Sequence, residues 1–188
     1  MAASEVFYTI RNLEVMDDEE SNQAEEFLAA AFENDEFTHV ATGGDRALYG
    51  PFWRSLMVAG LRGGEVYVAE HATEKVIIAA ANLDDTLCLL WGSSDQREEA
   101  WPICADRFQP EITKWWETDL LPKYASFCEE VFGEGVKLAS WHLQAFAVEP
   151  KFQRKGIARA LIEKMKRKDK PQGMYRRSTT HPGGDSGL

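Results

Sequence analysis

Apolar positions recur along the chain with two different periods, and the order of those periods predicts the elements. Val6 to Val15 mixes β-branched and apolar residues and predicts a first strand. Asp17 or Asp18 can cap the helix that follows, in which Ala24, Phe27, Leu28, Ala31 and Phe32 recur at helical spacing behind an acidic first turn. Thr42, Gly43 and Gly44 predict a turn, and the Asp45 that follows excludes a phosphate loop of the Gly-Lys-Ser or Gly-Lys-Thr kind. Pro51 suits the first turn of a second helix that runs through Trp53, Leu56, Met57 and Leu61 and stops at Gly63 and Gly64. Glu65 to Glu70 and Val76 to Leu83, separated by polar residues around Thr73 and Glu74, predict two strands of an antiparallel hairpin.

Ser93 with Gln96 forms a candidate capping box that opens a mostly helical stretch to Phe132, divided at Pro110 and Pro122. Trp115 and Trp116 within it anchor these helices on the core or line a cleft, and the area an aromatic ring buries favours the core. Ser140 to Val148 then predicts a strand. Plain alternation puts His142, Gln144, Phe146 and Val148 on one face and Trp141, Leu143, Ala145 and Ala147 on the other. Pro150 ends the strand, and a helix follows in which Ile157, Leu161 and Met165 share an apolar face. Ser178 to Gly187 contains no apolar residue and predicts a frayed tail.

Composition narrows the class. The 188 residues, 44% hydrophobic and 28% charged, suit one soluble globular domain, with no apolar run long enough for a membrane span and no secretory signal at the start. A cytoplasmic location is expected, with the nucleus left open. Cys88, Cys104 and Cys128 are odd in number and lack metal-knuckle spacing, so they are read as buried thiols. His39, His71 and His181 likewise show no metal-ligand spacing, and no metal is expected. The net charge of −10 conceals an asymmetry: residues 1–148 carry 10 Lys and Arg against 27 Asp and Glu, whereas residues 149–188 carry 11 against 4. The acidic part argues against nucleic-acid binding, and the basic end is short enough to serve one anionic ligand.

The order strand, loop, glycine, helix supplies such a site. The first amides of a helix lack intrahelical partners and lie at the positive end of its dipole, and Gly156 and Ala158 keep the approach to them open. Arg154, Lys155 and Arg159 add positive charge suited to a pyrophosphate.

The run Leu143-Gln144-Ala145-Phe146-Ala147-Val148-Glu149-Pro150, followed by Gln153-Arg154-Lys155-Gly156-Ile157-Ala158 and Arg159-Ala160-Leu161, resembles the acetyl-CoA-binding motif of GNAT acetyltransferases. The family pattern is Arg or Gln, two residues, Gly, one residue, then Gly or Ala. The resemblance covers roughly residues 5–168, with 93–132 as a helical insertion similar to that of fungal members. It implies an α/β fold with a mixed, mostly antiparallel sheet flanked by helices. It further implies that amides of Arg154, Lys155, Gly156, Ile157, Ala158 and Arg159 hold the CoA pyrophosphate in a cofactor-binding loop that opens at Gln153, and that the backbone near Phe146 and Val148 pairs with the pantetheine arm. Acetyl-CoA is then a co-substrate, and the acceptor a primary amine on a small molecule or peptide.

A lysine-like amine with pKa ~10.4 must lose a proton before it attacks, and His142 is the candidate general base. Histidines on this strand serve that role in arylalkylamine acetyltransferases, although Gln144 stands where a second one would be. A purely structural His142 is the competing reading.

Family members continue past the motif helix with further strands and a helix, whereas Asp169 to Leu188 offers room for little of this. The expectation is a fold truncated at its C-terminal end, with residues 169–188 an irregular tail. The exposed edge strand would favour self-association and weak catalysis. The rival function is a non-catalytic module that binds CoA or a partner protein.

Overall fold

The computed structural model describes residues 7–84, 90–133 and 142–166. Strands β1 (Tyr8–Leu13), β2 (Gly64–His71), β3 (Ile77–Asp84) and β4 (His142–Val148) form one antiparallel sheet in the order β1-β2-β3-β4. Helices pack on both faces, in agreement with the expected α/β class. Residues 169–188 and Cys88 lie outside the described residues.

Helix α1 (Asp18–Ala31) begins where the sequence places it. Asp17 accepts from the Glu20 amide at 2.8 Å and Glu20 reaches back to the Asp17 amide at 3.2 Å, a complete capping box. Helix α3 (Tyr49–Gly63) follows the Gly43–Gly44 turn, in which both glycines hold positive φ.

A short helix between them, α2 (Glu36–Ala41), lies where the sequence pattern predicts no helix. Six residues are too few for a period to emerge, and tertiary contacts hold it. Asp35 caps it by accepting from the Thr38 amide and hydroxyl, each at 2.7 Å. Two buried indoles then tie it to the core, Trp53 donating to Thr38 Oγ1 at 2.9 Å and Trp116 to the Ala41 carbonyl at 2.8 Å.

The stretch after β3 contains α4 (Ser94–Glu99), α5 (Pro102–Ala105), α6 (Pro110–Trp115) and α7 (Leu121–Phe132). The Ser93–Gln96 capping box forms, and the buried Gln96 also donates to the Ala59 carbonyl at 3.0 Å, which fastens α4 to α3. Pro110 opens α6 as expected. Pro122 does not divide the helix: residues 110–132 run continuously through a π-helical turn at Trp116–Leu120, where the Leu121 amide reaches back to the Trp116 carbonyl. A proline inside a helix clashes with the carbonyl four residues earlier, here Thr118, and widening the preceding turn relieves the clash without breaking the helix.

Two apolar clusters separate the layers. The larger lies between the sheet and α1, α3 and the helices of residues 94–132, where Phe52, Trp53, Trp91, Trp101, Phe108 and Trp116 pack largely edge to face. The smaller joins Tyr67, Ala69, Ile78 and Ala79 to Ile157 and Leu161 of α8 (Ile157–Lys166). Cys104 and Cys128 are buried thiols, and burial raises Cys104 to about 11.

The approach of α3 to the sheet is closest at Gly60. A Cβ there would lie 1.9 Å from Asn82 Oδ1, and Asn82 is itself held by its amide donating to the Leu56 carbonyl at 2.6 Å. Gly60→Ala should therefore lower unfolding stability by about 1–3 kcal/mol, as overpacked cores do. Denaturant unfolding measures this, and an unchanged midpoint would mean that Asn82 moves aside freely.

Candidate functional site

Strand β4 carries the residues singled out by their chemistry, and its register contains an irregularity. Val148, Ala147, Phe146 and Ala145 pair with Ala79, Ala80, Ala81 and Asn82 in turn, but Leu143 then pairs with Leu83 and His142 with Asp84. While β3 advances one residue, β4 advances two. Gln144 is thus the extra residue of a β-bulge.

The bulge corrects the face assignment made from plain alternation. Phe146 and Val148 pack on the α8 side, and Ala145 and Ala147 on the α3 side. Leu83, the partner of Leu143, belongs to the α8 side, so His142 falls on the α3 side, across the sheet from Phe146 and Val148. The unpaired residue uses up one step of the pleat, and every side chain before it changes face. His142 is half-buried there.

At the other end of β4 the backbone turns its polar groups outward. The Glu149 amide donates to the Ile78 carbonyl at 2.9 Å and so points toward β3. By alternation the amides and carbonyls of Phe146 and Val148 point the opposite way, to an edge on which the described residues supply no strand. The Val148 carbonyl accepts from Gln153 Nε2 at 3.0 Å, which ties the next loop to the strand end.

That loop is anchored by Phe152, which is buried, packs its ring tilted against His71 at 5.5 Å between centroids and ends a single 3-10 turn, Pro150–Phe152. Arg154 (φ 61°) and Gly156 (φ 84°) are both left-handed, on either side of Lys155. Such a conformation costs a non-glycine residue about 1–2 kcal/mol and curves successive amides into a concave, anion-accepting surface. The first backbone bond of α8 runs from the Ala160 amide to the Gly156 carbonyl at 3.0 Å. Among the described residues no backbone acceptor meets the amides of 154–159. No described atom lies within 4 Å of where a Gly156 Cβ would stand, so the ground above the glycine is open.

The charges around the loop differ in commitment. Lys151 pairs with Glu149 at 2.9 Å, and that hydrogen bond holds its ammonium pKa above the usual lysine value. Arg159 pairs with Glu163 at 2.9 Å. Arg154 and Lys155 have no carboxylate partner among the described residues, and Lys155 rests its ammonium 5.3 Å from the Phe152 ring centroid. Loop amides and two uncommitted cations therefore converge beyond the C-terminal end of β4.

On the α3 side of the sheet a cavity of about 220 Å³ opens beside the bulge. Phe37, Trp53, Trp116, Leu120, Tyr124 and Gln144 line it. The Gln144 amide nitrogen is buried and meets no hydrogen-bond partner among the described residues. These residues come from five separate elements, so sequence patterning could not group them. The Trp115–Trp116 pair was the sole signal, and Trp116 turns out to be both wholly buried in the core and part of the cavity wall.

Residues 91–185 match the family model described as acetyltransferase (GNAT) family, just over half of the chain. The chain belongs to the GNAT acetyltransferase family. The GNAT match takes in α4 to α7, β4, the loop and α8, and continues to residue 185. It supports acetyl transfer as the general chemistry, with acetyl-CoA the donor that the family generally uses. No curated protein matches the chain. Among solved structures, it is similar to the crystal structure of PH1933 from Pyrococcus horikoshii OT3, with a TM-score of 0.45 and 16% identity, covering 84% of this chain and 68% of that one. No described helix is long and apolar enough to cross a membrane.

The left-handed backbone at position 156 makes a stability prediction for the GNAT loop. Gly156→Val should cost about 1–2 kcal/mol in unfolding free energy through backbone strain alone, because the side chain meets no described neighbour. A thermal melt indistinguishable from the parent would show that the loop relaxes to another conformation.

Proposed function

We propose that this GNAT domain binds acetyl-CoA at Gln153–Arg159 and transfers its acetyl group to a primary amine. The observation that carries the reading is the pair of left-handed residues, Arg154 and Gly156, at the start of α8, which leaves a curve of unpartnered amides beside two uncommitted cations. A pyrophosphate matches that arrangement in size and charge. The outward amides of Phe146 and Val148 and the Phe146 carbonyl suit the amide groups of a pantetheine arm, which would lie along β4 as an added strand does.

In the reaction the neutral amine nitrogen forms a bond to the thioester carbonyl carbon and the carbon–sulfur bond breaks. The proton lost from nitrogen ends on the CoA thiolate. His142 is assigned the earlier step, accepting the proton of the ammonium form, a role supported by its half-buried place at the start of the bulged strand. Holding donor and acceptor on one strand supplies the orientation that such a direct transfer requires.

Calorimetric titration with CoA tests the cofactor site. Arg154→Ala and Lys155→Ala should each weaken binding by about tenfold, in line with the loss of one charge-assisted hydrogen bond. Gly156→Val should abolish binding by filling the open ground above the loop. Parent-like affinity in all three variants would place the cofactor elsewhere.

Thiol release in the presence of amines tests the chemistry. His142→Ala should reduce turnover by about 10²-fold near neutral pH without changing CoA affinity. Equal turnover of variant and parent between pH 6 and 9 would remove His142 from the mechanism. CoA binding with no turnover on any amine would favour the non-catalytic module instead. Self-association through the outer edge of β4, where Leu143 is exposed, belongs to the same reading and would appear as concentration-dependent light scattering.

A further inference from the structure

The cavity beside the bulge has a composition that restricts what it can hold. Its walls are the rings of Phe37, Trp53, Trp116 and Tyr124 with leucine side chains between them, and no carboxylate is among its described lining residues. The indole N–H groups of Trp53 and Trp116 are already donated to Thr38 and to Ala41, so these two residues offer the cavity ring surface alone. The π-helical turn contributes as well, because the wider turn sets Leu120 and Leu121, which are consecutive, both against the same space.

Against these apolar walls stands one unsatisfied donor among the described residues, Gln144 Nε2. A buried amide without a partner is costly in a folded protein, and a ligand that brings an acceptor atom removes that cost. The volume of about 220 Å³ lies below the range of about 300–1,000 Å³ typical for drug-sized ligands. One ring with a small substituent is the size that fits.

The bulge connects this cavity to the chemistry. It places Gln144 and His142 on the same side of β4, opposite Phe146 and Val148. A body held by the aromatic walls is therefore on the face of the strand that carries the proposed base.

We propose that the cavity binds the apolar part of the acceptor amine, a single aromatic ring bearing one hydrogen-bond acceptor that receives the Gln144 amide proton. The proposal rests on the acetyltransferase reading and names the substrate class for it. Long aliphatic polyamines are disfavoured, because a second ammonium group would enter a space in which the described residues offer no anionic partner.

A matched pair of probes tests the donor. Binding of 4-methoxybenzylamine and 4-ethylbenzylamine to the full chain, with and without saturating CoA, is followed by calorimetry and by tryptophan fluorescence. The two differ in an acceptor oxygen at nearly constant shape. The methoxy compound should bind about tenfold more tightly, as expected for one buried hydrogen bond. Gln144→Leu should erase that preference while both amines still bind. Leu120→Trp, which fills the cavity from a partly exposed position, should weaken both amines by at least tenfold and leave CoA affinity unchanged.

A methoxy preference that survives in Gln144→Leu would overturn the proposal, and so would spermidine binding more tightly than either benzylamine. The two readings fail separately. Normal CoA binding without the amine preference would sink the pocket assignment alone, whereas the amine preference without CoA binding would sink the cofactor assignment and leave the pocket standing.

Discussion

The organisation of the site depends on one irregularity in hydrogen-bond register, the step at which β4 sets Leu143 to Ala145 against Leu83 and Asn82. A strand in continuous register would place His142 and Gln144 on the same side as Phe146 and Val148. The bulge divides them. Phe146 and Val148 remain with the α8 layer, while His142 and Gln144 turn to the α3 layer and its aromatic core. The bulge thus puts the polar residues at one end of the strand on the opposite layer from Phe146 and Val148, which unbroken alternation does not do.

Around that strand the two halves of the candidate site are built by different physics. The loop after β4 is local: a buried Phe152, two left-handed residues and the free amides of a helix lie within eight consecutive positions. Its electrostatics are local too, since Lys151 and Arg159 are committed to neighbouring carboxylates and Arg154 and Lys155 are left over. The cavity on the opposite side is assembled from distant segments. Trp53 comes from α3, Trp116 from the π-helical turn, Phe37 from α2 and Gln144 from β4, and none of them has its place without the packing of the others. Hydrogen bonds from the two indoles to α2 keep the rings in orientation, so the core that stabilises the helices also shapes the cavity.

Much of this was legible in the sequence, and for identifiable reasons. The α1 capping box, the hairpin of β2 and β3, the Ser93–Gln96 cap and the strand–loop–helix unit depend on residues within a few positions of one another. The motif Gln153 to Ala158 is likewise contiguous, and it led to the same GNAT family that the match over residues 91–185 establishes. The readings that needed correction involve contacts made across the fold. Helix α2 carries too few residues to announce itself, and Pro122 reads as a helix end until the π-helical turn accommodates it.

The sequence by itself therefore determined most of the order of elements and the strand–loop–helix unit proposed to bind an anion, because propensity, capping and dipole effects act over one or two turns of chain. Tertiary structure alone decided which way His142 and Gln144 face. A β-bulge is a mismatch between two strands that are about sixty residues apart in sequence, and neither strand records it in its own alternation. The aromatic cavity has the same origin, since its walls meet only after helices from opposite parts of the chain have packed on one side of the sheet.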